Sequence, residues 1–190
     1  MVGARYEDPR AHAVRERYLD IFGGPVLPVP VESIAEDLLG LRVEERWEIE
    51  CSGMLLPAER RIVLNAAEAP RDEAPLRRFR FTIAHEIGHW ICHCLEGRAV
   101  NPQPSYCRPV DLTDAADRSL EREANVFAAE LLMPEPEVLK AWGQFANIAE
   151  CAARFDVSPT AMQWRLHSFT LSERPAATSD TQRAVDSERR

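Results

Sequence analysis

The stretch RFRFTIAHEIGHWICH, residues 78–93, constrains the fold more than any other. It is largely apolar, yet two histidines flank a glutamate in it at H-E-x-x-H spacing. On an α-helix, residues four apart share a face, about 5–6 Å apart at Cβ. His85 and His89 can therefore close on one ion at the roughly 2.0–2.1 Å of a zinc–nitrogen bond. Glu86, one position along, would stand beside the ion without ligating it, where a carboxylate can take a proton from water. His93 continues the stripe but lies two turns from His85, about 12 Å of helix rise, too far for all three to share an ion. The long metzincin pattern needs Gly and His where this chain has Cys92 and Leu95. A third ligand has to come from another segment.

The segment SLEREANVFAAELLMP, residues 119–134, offers one. Glu121, Ala124, Asn125, Ala128 and Leu132 fall on one continuous helical stripe. The small Ala124 and Ala128 would let this helix approach the histidine helix closely, and Glu121 is the only acid on the stripe. Buried acids are rare unless paired or bound to metal, so Glu121 is the expected ligand, with Glu123 as the fallback. Asn125, one turn on, is placed to hydrogen-bond a ring N–H of a ligating histidine. The competing reading is a metal-free polar cluster. It is disfavoured because two histidines and a carboxylate in a core would each need a partner. Three protein ligands leave a fourth position open, which marks a catalytic rather than a structural zinc site. Hydrolysis is the expected chemistry, with one Zn²⁺ per chain and Glu86 as proton acceptor.

At 190 residues the chain suits one domain with a real core. No apolar run approaches the roughly 20 residues of a membrane-crossing helix, and the charged N-terminus lacks the apolar stretch of a secretory signal. Five cysteines without regular spacing fit a reducing compartment, so a cytoplasmic location is expected. The net charge of −8 disfavours nucleic acid as a partner.

Helical periodicity predicts a first helix over 10–22 and a second over 31–40, stopped by Gly40. Three short strands follow in LRVEERW, CSGMLLP and RRIVLN, the last two as a hairpin across PAER. A long helix from about Pro75 to Cys94 carries the quoted stretch, and a proline-containing loop over 96–114 follows it. Further helices are expected from Thr113 or Asp114 to Met133, at 135–144, at 147–154, and from Ser158 and Pro159 onward. The expected fold class is therefore α+β: mainly helical, with a small three-stranded antiparallel sheet, a zincin-like active-site helix pair and a C-terminal helix-turn-helix-like unit. The expected division is 1–134 for the peptidase-like part, 135–171 for the C-terminal helical unit of the same domain, and 172–190 as a disordered tail.

RFRFTIAHEIGHW followed by EREANVFAAELLMP, with VPVESIAEDLLGLRV and SGMLLPAERRIVLN upstream, resembles the ImmA/IrrE family of bacterial metallopeptidases over residues 26–170. The resemblance implies a gluzincin-like zinc endopeptidase whose members cleave Xre-type helix-turn-helix repressors. His85, His89 and Glu121 match the family's ligands, and Glu86 its acid/base. A protein substrate, an Xre-type repressor or an antitoxin, is the implied partner. With 190 residues, no fused repressor or sensor domain of the kind some relatives carry is expected. The rival reading is a non-catalytic zinc-containing module that binds a repressor or antitoxin, and the intact Glu86 speaks against it.

Weaker signals remain. Residues 147–169 read as helix, turn, helix, but only Gln163, Arg165 and His167 could read a DNA groove, and nearby acids cancel the segment's arginines. Cys92, His93, Cys94 and Cys107 could form a second site only by bringing together helix positions that point apart. Peptide hydrolysis calls for a group that stabilises the oxyanion. Tyr106 and His93 are the candidates, with His167 behind them.

Overall fold

The computed structural model describes residues 8–24, 27–47, 49, 51–68, 74–95 and 115–169. Helix α1 (Pro9–Phe22) starts where Asp8 caps it, its side chain accepting from the Arg10 N–H at 2.9 Å, with Pro9 in the first turn. Ala11, Val14, Arg15 and Tyr18 form its buried stripe, and it packs on the later helix α4 (Ala115–Leu132). Helix α2 begins at Val31–Ser33 and widens into a π-helical turn over Ile34–Leu38. Gly40, at φ 63°, ends it in the left-handed conformation that glycine adopts without strain.

Strands β1 (Arg42–Arg46), β2 (Gly53–Leu56) and β3 (Arg61–Asn65) form one sheet in the order β1-β3-β2. The β2–β3 hairpin turns through the short 3-10 segment Pro57–Glu59 and Arg60, as the sequence predicts. The expected all-antiparallel sheet is corrected: β1 pairs parallel to β3, Arg42 opposite Arg61. The reason lies at one corner. The Arg60 guanidinium donates to the carbonyls of Leu39 and Gly40, and the Arg42 N–H donates to the Arg60 carbonyl at 2.9 Å. The hairpin turn is thereby stapled to the end of α2, so β1 and β3 start side by side. β3, with its buried Ile62, Val63 and Leu64, takes the central position that the most apolar strand favours.

Helix α3 (Ala74–His89) continues as a π-helical turn over Trp90–Cys94. From Thr82 to Trp90 every residue of α3 and its extension outside Gly88 carries a buried side chain, so this is an interior helix, covered by the sheet and by α4. Ile83, Ala84 and Ile87 of α3 and Phe127, Ala128 and Leu131 of α4 belong to one buried core cluster. Each large apolar side chain buried there contributes about 1.5–3 kcal/mol.

Helices α5 (Glu135–Phe145), α6 (Ile148–Phe155) and α7 (Pro159–Ser168) complete the chain. Asn147 caps α6, and Ser158 caps α7 by accepting from the Ala161 N–H. Arg165 cannot serve as the groove reader considered above. It is 4% exposed, paired with buried Glu130 of α4, hydrogen-bonded to the Met133 carbonyl at 2.9 Å and stacked 4.5 Å from the Phe169 ring centroid. Glu130 is thus a buried acid on α4, satisfied by an arginine 35 residues away. Breaking one side of such a pair leaves an uncompensated charge and costs about 3–5 kcal/mol. Arg165→Met is accordingly expected to lower the urea midpoint strongly, and a midpoint equal to wild type would show that the pair does not hold α7 to α4. Trp164 points the other way and is 70% exposed. Tyr106, Cys107, the 96–114 loop, the helix cap at Thr113 or Asp114, and the 172–190 tail lie outside the described residues.

Candidate metal centre

His85 and His89 lie one turn apart on α3, and Glu121 reaches them from the first half of α4. The Nε2 atoms of the two histidines are 3.0 Å apart, with ring planes at 79°. The Glu121 carboxylate spans both, one oxygen 3.1 Å from His85 Nε2 and the other 3.0 Å from His89 Nε2. Among the described residues these three form the one cluster of histidine, cysteine and acid side chains able to hold a metal ion, their ligand atoms all within 4.8 Å of one another. Two imidazole nitrogens and a carboxylate are a donor set suited to zinc. Two buried Nε2 atoms aimed at each other and at one carboxylate make poor neighbours unless a proton or a cation lies between them.

The electrostatics follow from that crowding. Burial opposes the charged form of His85, but the hydrogen bond to Glu121 and the negative charges of Glu86 and Glu121 outweigh it and raise its pKa above the ordinary value. Burial pushes the Glu121 carboxyl up, and the two histidines more than reverse this, holding it at about 2. Without an ion the site is already built to keep a carboxylate charged beside two imidazoles. Glu86 is fully buried on the same helix.

The remaining residues singled out in the sequence fall into distinct places. Asn125, although exposed overall, sets its Oδ1 3.1 Å from His85 Nδ1. Glu123, the fallback ligand, stays outside the cluster: it pairs with Arg10 of α1 at 2.7 Å and approaches His93 Nε2 at 3.4 Å. His93 is 2% exposed, its Nδ1 3.0 Å from His89 Nδ1. Both of its ring nitrogens face other side chains, those of His89 and Glu123. Among the described residues, Cys51, Cys92, Cys94 and Cys151 form no disulfide.

One residue of the motif escaped the sequence reading. A Cβ at Gly88 would lie 3.0 Å from the Ala124 carbonyl oxygen and 3.1 Å from the Ala124 Cα, so the missing side chain is what lets α4 reach α3. Its signal was available: glycine costs about 1 kcal/mol inside a helix and needs a reason to be there. Gly88→Ala gains that propensity but pushes on backbone, an overpacking cost of about 1–3 kcal/mol. The expected outcome is a lower melting temperature together with weaker zinc uptake, as Glu121 moves off the histidines; an equal or higher melting temperature with unchanged zinc affinity would contradict it.

Over 122 residues the chain is 32% identical to the radiation response metalloprotease IrrE of Deinococcus radiodurans, an alignment covering 62% of this chain and 34% of that protein, so it spans about a third of that relative's length. A Mycobacterium tuberculosis transcriptional regulator shares the fold, with a TM-score of 0.61 at 18% identity over 90% of this chain and 49% of the other. Residues 37–167 match Peptidase_M78, described as the IrrE N-terminal-like domain. That match runs from the π-helical turn of α2 to the last helix and contains both helices of the metal centre, which makes the chain a member of the Peptidase_M78 family.

Proposed function

We propose that the chain is a zinc-dependent endopeptidase that hydrolyses a peptide bond in a regulatory protein, an Xre-type helix-turn-helix repressor or an antitoxin, in the cytoplasm. The observation that carries this reading is the convergence of His85, His89 and the Glu121 carboxylate within 4.8 Å, with fully buried Glu86 between the two histidines in sequence. Membership of a peptidase family and the likeness to a protein named as a radiation response metalloprotease support it. His85, His89 and Glu121 would hold one zinc ion. Zinc bound there would supply Lewis acidity toward a peptide carbonyl and toward water. Glu86 takes the proton that water gives up as it attacks, and returns it to the leaving amine. Asn125 accepts from His85 Nδ1–H and so keeps Nε2 turned to the ion. Residues 135–171 belong to the same domain in this reading, held to α4 by the Glu130–Arg165 pair.

No helix among the described residues is long and apolar enough to cross a membrane. Tyr106 is the candidate for stabilising the oxyanion in this reading. The test is a substrate trap: wild type and Glu86→Gln are affinity-purified from host lysate, and the retained proteins are identified by mass spectrometry. One protein held intact by the variant and recovered as defined fragments with wild type supports the peptidase. The same intact partner on both would point instead to a non-catalytic module that binds a repressor or antitoxin.

A further inference from the structure

Behind the metal centre runs a line of polar side chains that the hydrolytic reaction does not use. It starts at His89 Nδ1, passes to His93 Nδ1 at 3.0 Å, from His93 Nε2 to Glu123 Oε2 at 3.4 Å, and from Glu123 Oε1 to the Arg10 guanidinium at 2.7 Å. Arg10 is itself gripped by the carboxylate of Asp8, which accepts from its Nε at 3.0 Å and from its terminal nitrogen at 2.8 Å. Four segments thus meet in one chain: the start of α1, α4, the π-helical turn after α3, and α3 itself.

We propose that His93, Glu123 and Arg10 are positioning residues that hold His89 in the tautomer and ring orientation a metal ion requires. The proposal rests on the reading of His85, His89 and Glu121 as ligands. Its logic is one of proton counting. His89 Nε2 faces both Glu121 and His85, so it is the nitrogen whose lone pair an ion would use. The ring proton then sits on Nδ1, and the neighbour of Nδ1 must accept it. That neighbour is His93 Nδ1, so the His93 proton sits on Nε2, whose neighbour must be an acceptor in turn. Glu123 is one, its other oxygen paired with the Arg10 guanidinium. Every link admits a single donor direction, and all of them are set from the Arg10 end.

The two ligands are consequently supported differently. His85 leans on the neutral amide of Asn125, whereas the chain behind His89 runs through His93 to the Glu123 carboxylate, which makes the imidazole it supports a stronger electron donor. The arrangement also gives α1 a purpose at the site. Its first turn, organised by the Asp8 cap, delivers the cation that fixes Glu123, 113 residues away in sequence. The widened turn at Trp90–Cys94 carries His93 to a ring-centroid separation of 5.0 Å from His89. Such turns recur where a helix serves a site.

The experiment has two parts, both on the full chain loaded with zinc alone. The first reads histidine tautomers in wild type by long-range proton–nitrogen correlation. His89 is expected protonated at Nδ1 and His93 at Nε2; His93 protonated at Nδ1 would overturn the proposal. The second measures zinc affinity by competition with a chromophoric chelator. His93→Leu is expected to weaken binding about 10–100-fold. His93→Gln should recover most of this, because its amide can accept from His89 and donate to Glu123. Arg10→Met, partly exposed and three hydrogen-bonded groups from the ion, should also weaken binding, by less than His93→Leu. Affinities of the His93→Leu and Arg10→Met proteins equal to wild type would overturn the relay, as would a His93→Gln protein no better than His93→Leu. Wild type that takes up no zinc would fail the ligand reading itself, a result distinct from any of these.

Discussion

Glu86→Gln protein is expected to retain its zinc and to lose about 10²–10⁴-fold in peptide hydrolysis, the usual contribution of a positioned general acid or base. The substitution keeps the shape of a side chain that is fully buried, so the helix and its two histidines should stay where they are. What it removes is the ability to take up a proton. A loss of zinc together with activity would mean that Glu86 is structural, and full turnover with zinc in place would remove it from the proton transfer. The two readings, metal content and cleavage of the trapped substrate, must therefore be made on the same preparation.

The second large effect is expected at Glu121. Its carboxylate spans both histidines, and it is the only one of the three ligand candidates supplied by α4. Glu121→Ala leaves two imidazole nitrogens for the ion. Zinc affinity should fall by more than the roughly 10–100-fold that follows removal of a ligand's supporting partner. Activity should fall with it. Equilibrium dialysis followed by metal analysis reads the result directly, and unchanged stoichiometry and affinity would exclude Glu121 as a ligand. Gly88 and Glu121 make a consistent pair in this respect. One removes the side chain that would hold α4 away from α3, and the other uses the approach that results.

Much of this was legible in the sequence because it depends on local periodicity. The spacing of His85 and His89, the stripe on α4, the β2–β3 hairpin and the caps at Ser158 and Gly40 all follow from residues within a few positions of one another. What escaped depends on contacts between distant segments. Alternation in LRVEERW fits a parallel strand as well as an antiparallel one. The direction of β1 is decided by Arg60 reaching the carbonyls at the end of α2, about 20 residues back. The π-helical turns at Ile34–Leu38 and Trp90–Cys94 carry the same residue types as an α-helix, so their widening leaves no mark in the periodicity. Glu130 and Arg165 are individually ordinary surface residues until packing brings them together and excludes water. Arg10 and Glu123 are likewise unremarkable apart, and the role of His93 could not be read before both were placed beside it.

The central claim is that His85, His89 and Glu121 share one ion. Crystals of the zinc-loaded protein, measured on both sides of the zinc absorption edge, test it most directly. A single anomalous peak per chain is expected, about 2.0–2.2 Å from His85 Nε2, His89 Nε2 and a Glu121 oxygen. A peak lodged elsewhere, or none at full zinc loading, would contradict it.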